Sequence, residues 1–205
     1  MITIHNFPGG ARGVRIIWQC EEMGLPYRCS PVTFPPSEAY TALNPFGNVP
    51  FIEDEDGVAI NESVAIMMYL AERYGPTSLL PGKGEPAALA RVLQLTVLSE
   101  AMFGASMNTL MEAHFGAPEA DRRNWSVGVT ENKAGRALAF VEAVLGDGDY
   151  LVGDRLTLAD IAMVTGLGIW RGALGKPIPR SLAAWRDHLM ERPAYQRAAA
   201  AMPRD

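Results

Sequence analysis

Pro50 constrains this chain more than any other single residue, because of what stands on either side of it. The run Asn44-Pro45-Phe46-Gly47-Asn48-Val49-Pro50 has the composition of a turn. A residue before proline is driven to extended backbone, so Val49 offers its N–H and C=O outward like an unpaired edge strand. A cis Val49–Pro50 bond, the isomer found in tight turns, fixes those two groups in space. Further on, Asn61-Glu62-Ser63 opens a segment in which Val64, Met67, Met68, Ala71 and Tyr74 keep helical spacing. The first N–H groups of such a helix lack partners and lie at its positive dipole end, where a carboxylate can settle. A strand-like clamp followed by an anion seat is a device for holding a small peptide.

The flanking sequence supplies a scaffold for that device. Strands are expected over residues 1–5 and 27–32, with helices over 14–24 and 37–43. Residues 51–53 and 58–60 flank Asp54-Glu55-Asp56-Gly57, whose Asp-Gly end is a strong hairpin signal. Gly75-Pro76 stops the next helix. Glycine and proline then crowd the stretch from Gly75 to Pro86, which reads as a linker. Beyond it everything is helical. A long apolar helix over 87–115, bent near Gly104, is followed by helices over 122–145, from Thr157 to Trp170, over 181–191 and over 193–201. Thr157 with Asp160 three residues on has the spacing of a capping box, a folding signal rather than a catalytic pair. The expected division is an α/β domain over 1–76, a linker over 77–85 and an all-α domain over 86–205.

Composition excludes several classes. A formal charge of −5 argues against a nucleic-acid surface. No basic, then apolar leader opens the chain, and no uninterrupted apolar run has the length of a membrane span. Cys20 and Cys29 fall inside a predicted helix and a predicted strand, where free cysteine packs as a small apolar residue; they form neither a metal site nor a disulfide framework. No metal is expected, and the setting expected is a reducing cytoplasm.

The turn and the Glu-Ser helix start resemble the cytosolic glutathione transferases, of the bacterial type, over the whole chain. The family pattern is a thioredoxin-like β–α–β–α unit, a turn reading Asn-Pro-x-Gly-x-Val-Pro, a hairpin, and Glu/Gln-Ser at the start of a helix. An all-α domain follows, whose central helix opens with a Ser/Thr-x-x-Asp box. The resemblance implies a glutathione seat here: Val49 pairing by its backbone with the cysteinyl residue, Pro50 shaping the turn, Glu62 and Ser63 holding the γ-glutamyl end, and Asn48 directed toward the glycyl carboxylate. It implies a homodimer, with Phe46 a candidate anchor between subunits or a buried residue within one. It also implies an apolar electrophile pocket, for which Met102, Phe103, Met107 and Met111 are the candidates; a stripe of this kind is also ordinary core.

An enzyme of this kind must stabilise the thiolate, because the thiolate is the nucleophile. The family does so with a Tyr after the first strand, or a Ser or Cys at the start of the first helix. Asn6 stands in the first slot and Ala11 in the second. Three substitutes are open: backbone N–H groups of Gly10 through Gly13, including Ala11; the guanidinium of Arg12; and the amide of Asn6, acting as an oxyanion-hole side chain does. The readings that follow are conjugation of glutathione to a small apolar electrophile in detoxification, disulfide or peroxide reduction run by bound glutathione, and a glutathione-binding or interaction module without turnover.

Overall fold

A computed structural model describes residues 1–9 and 11–203. The chain folds as two compact units, one of Met1–Thr77 together with residues from Leu189 onward, the other Ser78–His188. Gly10, counted among the backbone donors, lies outside the described residues.

The first unit is built on a four-stranded sheet in the order β2-β1-β3-β4. Strand β1 (Ile2–Asn6) runs parallel to β2 (Tyr27–Pro31) and antiparallel to β3 (Phe51–Glu53), which pairs antiparallel with β4 (Ala59–Asn61). Helix α1 (Gly13–Met23) makes the parallel crossover, and α2 (Glu38–Leu43) precedes the Pro50 turn. Helix α3 (Ser63–Arg73) follows β4. Ile4, Ile16, Ile17, Trp18, Ile52, Ile66, Met67 and Leu70 are fully buried and form the core. Between β3 and β4 the chain turns through Asp56 and Gly57 at φ 59° and 74°, the paired left-handed residues that an Asp-Gly hairpin turn requires. The expected fold class, a thioredoxin-like α/β domain and an all-α domain, is the observed one.

The sequence places the last helix in the all-α domain; its packing places it with the sheet. Helix α9 (Pro193–Ala201) lies on α1. Tyr195 meets Trp18 edge-on at 5.0 Å, Arg192 grips Glu22 with two hydrogen bonds of 2.7 and 2.9 Å, and Arg197 reaches Glu21 at 2.5 Å. Apolar spacing predicts that a helix has a buried face, but not which of two cores receives it.

The second unit holds α4 (Pro86–Leu98), α5 (Ala105–Phe115), α6 (Trp125–Leu145), α7 (Leu158–Leu174) and α8 (Arg180–Met190). Helices α4 and α5 are one continuous run interrupted by a π-type turn over Ser99–Gly104, where the sequence suggests a bend. The run Pro86–Phe115 is, by length and composition, apolar enough to cross a membrane, contrary to the sequence reading. Its α4 and α5 segments pack on α7, and α5 also on α6, and 33% of its most apolar window is buried. Helix α7 is the buried centre, every residue from Leu158 through Leu167 being enclosed. The capping box at its start is formed: Asp160 accepts from Thr157 N–H and Oγ1, each at 2.7 Å, and from Leu151 N–H at 2.8 Å.

Candidate functional site

Sheet register brings the two halves of the peptide-holding device together. Phe51 pairs with Asn61, so the turn leading into β3 and the helix start that follows β4 leave the hairpin from the same end. His5 pairs with Phe51 on the other side, which sets Asn6, the last residue of β1, beside that end as well.

The Val49–Pro50 bond is cis. Among the described residues none takes a hydrogen bond from Val49 N–H or gives one to its C=O. The turn is braced from below. Tyr40 Oη donates to the carbonyl of Asn48 at 2.5 Å, and Asn44 Nδ2 donates to the same carbonyl at 2.8 Å. The Asn48 side chain belongs to this brace: its Oδ1 accepts from Asn44 Nδ2 at 2.9 Å and from Asn61 Nδ2 at 3.3 Å. An oxygen committed to two asparagine amides ties the turn to β4, and a carboxylate beside it would be met by the Nδ2–H donors of the same side chain.

At the other half Glu62 is exposed and adopts φ 68°, a left-handed backbone that costs a non-glycine residue about 1–3 kcal/mol. Ser63 is the first residue of α3 and 3% exposed. Its Oγ accepts a hydrogen bond of 2.9 Å from Nη1 of Arg15, a residue with no solvent exposure. Arg15 is the residue of this candidate site that sequence reasoning missed. It lies in α1, one turn before the equally buried Gln19, whose Nε2 donates to the Met67 carbonyl at 2.8 Å. Two polar residues four apart on the buried face of a helix were the available signal.

The candidate thiol activators occupy the loop between β1 and α1. Arg12 is the half-buried N-cap residue of α1, and its carbonyl accepts from Arg15 N–H. Ala11 accepts from Val14 N–H at 3.2 Å, and neither Ala11 N–H nor Gly13 N–H donates to another described residue. Asn6 is fully buried, not held in a local turn. Its Nδ2 points at the Met202 sulfur at 3.8 Å, and its Oδ1 has no hydrogen-bond partner among the described residues. Gly13 makes this placement possible, since a Cβ there would lie 2.3 Å from Asn6 Cγ. His5 is packed between the rings of Tyr40 and Phe51 and bonded to Glu53 at 2.8 Å.

The methionine-rich stretch divides. Phe103 is fully enclosed against Trp170, with ring centroids 5.2 Å apart, and Met107 is equally enclosed, so both are core and line no open pocket. Met102 is 44% exposed and Met111 partly so. Burial pushes the Cys20 thiol up to about 12, and raises that of Cys29 also.

Residues 12–73 match the family model of the glutathione S-transferase N-terminal domain, and residues 107–193 that of the C-terminal domain. Glutathione S-transferase F9 of Arabidopsis thaliana is 30% identical, the match covering 87% of both chains. Glutathione S-transferase 3 of Zea mays is 31% identical over 98% of this chain and 95% of its own. Among solved structures, a glutathione transferase homolog from Lodderomyces elongisporus, crystallised with two glutathione molecules per subunit, superposes with a TM-score of 0.84 at 25% identity. That match covers 98% of this chain and 99% of the other.

Proposed function

This chain belongs to the glutathione S-transferase family, and on that premise we propose that it conjugates the thiolate of glutathione to a small apolar electrophile. The observation that carries the proposal is the common edge where the unpaired Val49 backbone, Ser63 at the head of α3 and Arg15 behind it meet the loop of Asn6 and Arg12. Val49 receives the cysteinyl residue as an added strand would. Ser63 holds the γ-glutamyl carboxylate with its Oγ–H and N–H. Arg15 occupies the Oγ lone pair, which leaves the hydroxyl proton for the ligand, and sets a positive charge directly behind it. Glu62, exposed beside Ser63, faces the ammonium group.

This chain lacks the family's hydroxyl or thiol activator, so the thiolate is stabilised by other means. Arg12 and the N–H groups of the first α1 turn do this by charge and dipole, with Asn6 second because its amide already faces the Met202 sulfur. Cys20, held protonated by burial, lends no thiol of its own. In the reaction the sulfur attacks the electrophilic carbon, a C–S bond forms, and the leaving group departs with the electron pair of its bond. Met102 and Met111, whose thioether chains adapt to varied shapes, are the members of the methionine stretch left to meet the electrophile. The reading extends to a cytoplasmic homodimer serving detoxification, with Phe46, 84% exposed beside the turn, as the intersubunit anchor.

The test is conjugation of glutathione to 1-chloro-2,4-dinitrobenzene. The wild type is expected to form the thioether well above the rate in buffer, and Ser63→Ala to raise KM for glutathione about 10- to 100-fold, as loss of a charge-assisted hydrogen bond does. Glutathione binding without any thioether above the buffer rate would overturn the conjugation reading.

A further inference from the structure

We propose that Met202 is an oxidation site: a hydroperoxide converts its thioether to the sulfoxide, and the new oxygen takes the buried amide of Asn6 as its hydrogen-bond partner, latching the end of the chain onto the β1–α1 junction. Asn6 has no solvent exposure, yet its amide is poorly served. Among the described residues its Oδ1 has no partner, and its Nδ2 has the Met202 sulfur at 3.8 Å. A thioether is a weak acceptor, and a buried polar group without a good partner is costly. The amide has little room to turn elsewhere. Gly13 fits against it so closely that a Cβ there would lie 2.3 Å from its Cγ and 2.4 Å from its Oδ1.

The fold delivers the sulfur to this donor. Helix α9 lies on α1 and ends at Ala201, and Met202 leaves the helix at φ −58° and ψ 138°. The next residue is tied to the same loop, Gly9 N–H donating to the Pro203 carbonyl at 3.3 Å. Asn6, Gly9, Met202 and Pro203 all belong to the first unit. Met202 is half-buried and open to a small oxidant, whereas Met67, Met107 and Met163 are enclosed. Met23 also receives a side-chain amide, from Gln19 at 3.5 Å, but that nitrogen already donates to the Met67 carbonyl at 2.8 Å and has less to gain. In the reaction the Met202 sulfur attacks the terminal oxygen of the hydroperoxide and gives up two electrons. The S–O bond forms as the O–O bond breaks, and the proton of the transferred oxygen passes to the departing oxygen, which leaves as an alcohol, or as water from hydrogen peroxide. The polar sulfoxide gives the Asn6 N–H the acceptor that the thioether does not supply. On the reading of this edge as a glutathione seat, on which this consequence rests, the same N–H is then withheld from the ligand's sulfur.

The experiment exposes the whole protein to hydrogen peroxide, with peptide mass spectrometry locating the sulfoxides and NMR following exchange of the Gly9 amide. Met202 should be converted before Met67, Met107 and Met163 while the protein stays folded, and Gly9 exchange should slow about fivefold. Met202→Leu, which keeps the apolar bulk without an oxidisable sulfur, should show no such slowing after the same treatment. Should that variant not fold, the wild type before and after peroxide still decides. Titration calorimetry separates the latch from the glutathione reading: oxidised wild type should bind glutathione about fivefold more weakly, and treated Met202→Leu as tightly as before treatment. Slower Gly9 exchange with unaltered glutathione affinity would uphold the latch and remove Asn6 from the thiol site. Met202 left unoxidised in folded protein, Gly9 exchange unchanged or faster after its oxidation, or equal slowing in Met202→Leu would each overturn the proposal.

Discussion

A buried guanidinium is costly unless its donors are used, which makes the Arg15–Ser63 bond the most informative residue-level contact in the first unit. Arg15→Met removes the charge while keeping much of the volume. It should weaken glutathione about 10- to 100-fold by titration calorimetry, in line with charge-assisted hydrogen bonds of about 1.5–3 kcal/mol, and unchanged affinity would remove Arg15 from the seat. Asn6 tests the same neighbourhood through packing. In Gly13→Ala the new methyl group would meet Asn6 Cγ at 2.3 Å, so the asparagine or the helix start must shift. A loss of about 1–3 kcal/mol is expected in chemical denaturation. Wild-type stability in that variant would mean that the β1–α1 junction is looser than the contact implies.

Among the elements, α7 opens with a formed capping box. Thr157→Ala should cost about 1 kcal/mol, readable as a lower urea midpoint. Burial pushes the Asp160 carboxyl up to about 6, above the ordinary aspartate value. Folded protein therefore keeps this proton to higher pH than unfolded protein does. The contribution of Asp160 is greatest below about pH 4, declines as pH rises to about 6 and is level beyond. Urea titrations of wild type and Asp160→Asn across that window should differ by this slope, and parallel curves would contradict it. The cap, the cis turn at Val49–Pro50 and the Asp56-Gly57 hairpin were legible in the sequence because each is set by residues within a few positions. Arg15 and Ser63 lie 48 residues apart, and Trp18 and Tyr195 much further, so local pattern carried neither contact. The methionine stretch was legible in part: a stripe of its kind is ordinary core as often as pocket or more, Phe103 and Met107 are enclosed while Met102 is exposed, and the π-type turn over Ser99–Gly104 falls within it.

For the whole molecule, Phe46 is the residue that reports on assembly. In the proposed homodimer a partner subunit would cover this ring, which is 84% exposed in the turn before Pro50. Phe46→Glu should therefore shift sedimentation from dimer to monomer, and a wild type that sediments as a monomer would remove that explanation. The proposed conjugation rests on thiolate formation without a hydroxyl activator, and one titration reaches it directly. Thiolate absorbance of bound glutathione, followed against pH in wild type and in Arg12→Ala, should give a wild-type pKa well below the free thiol value of about 8.5. The variant should rise by a unit or more, about 1.4 kcal/mol of lost stabilisation. A bound thiol that titrates as it does in water would leave the conjugation chemistry without a nucleophile.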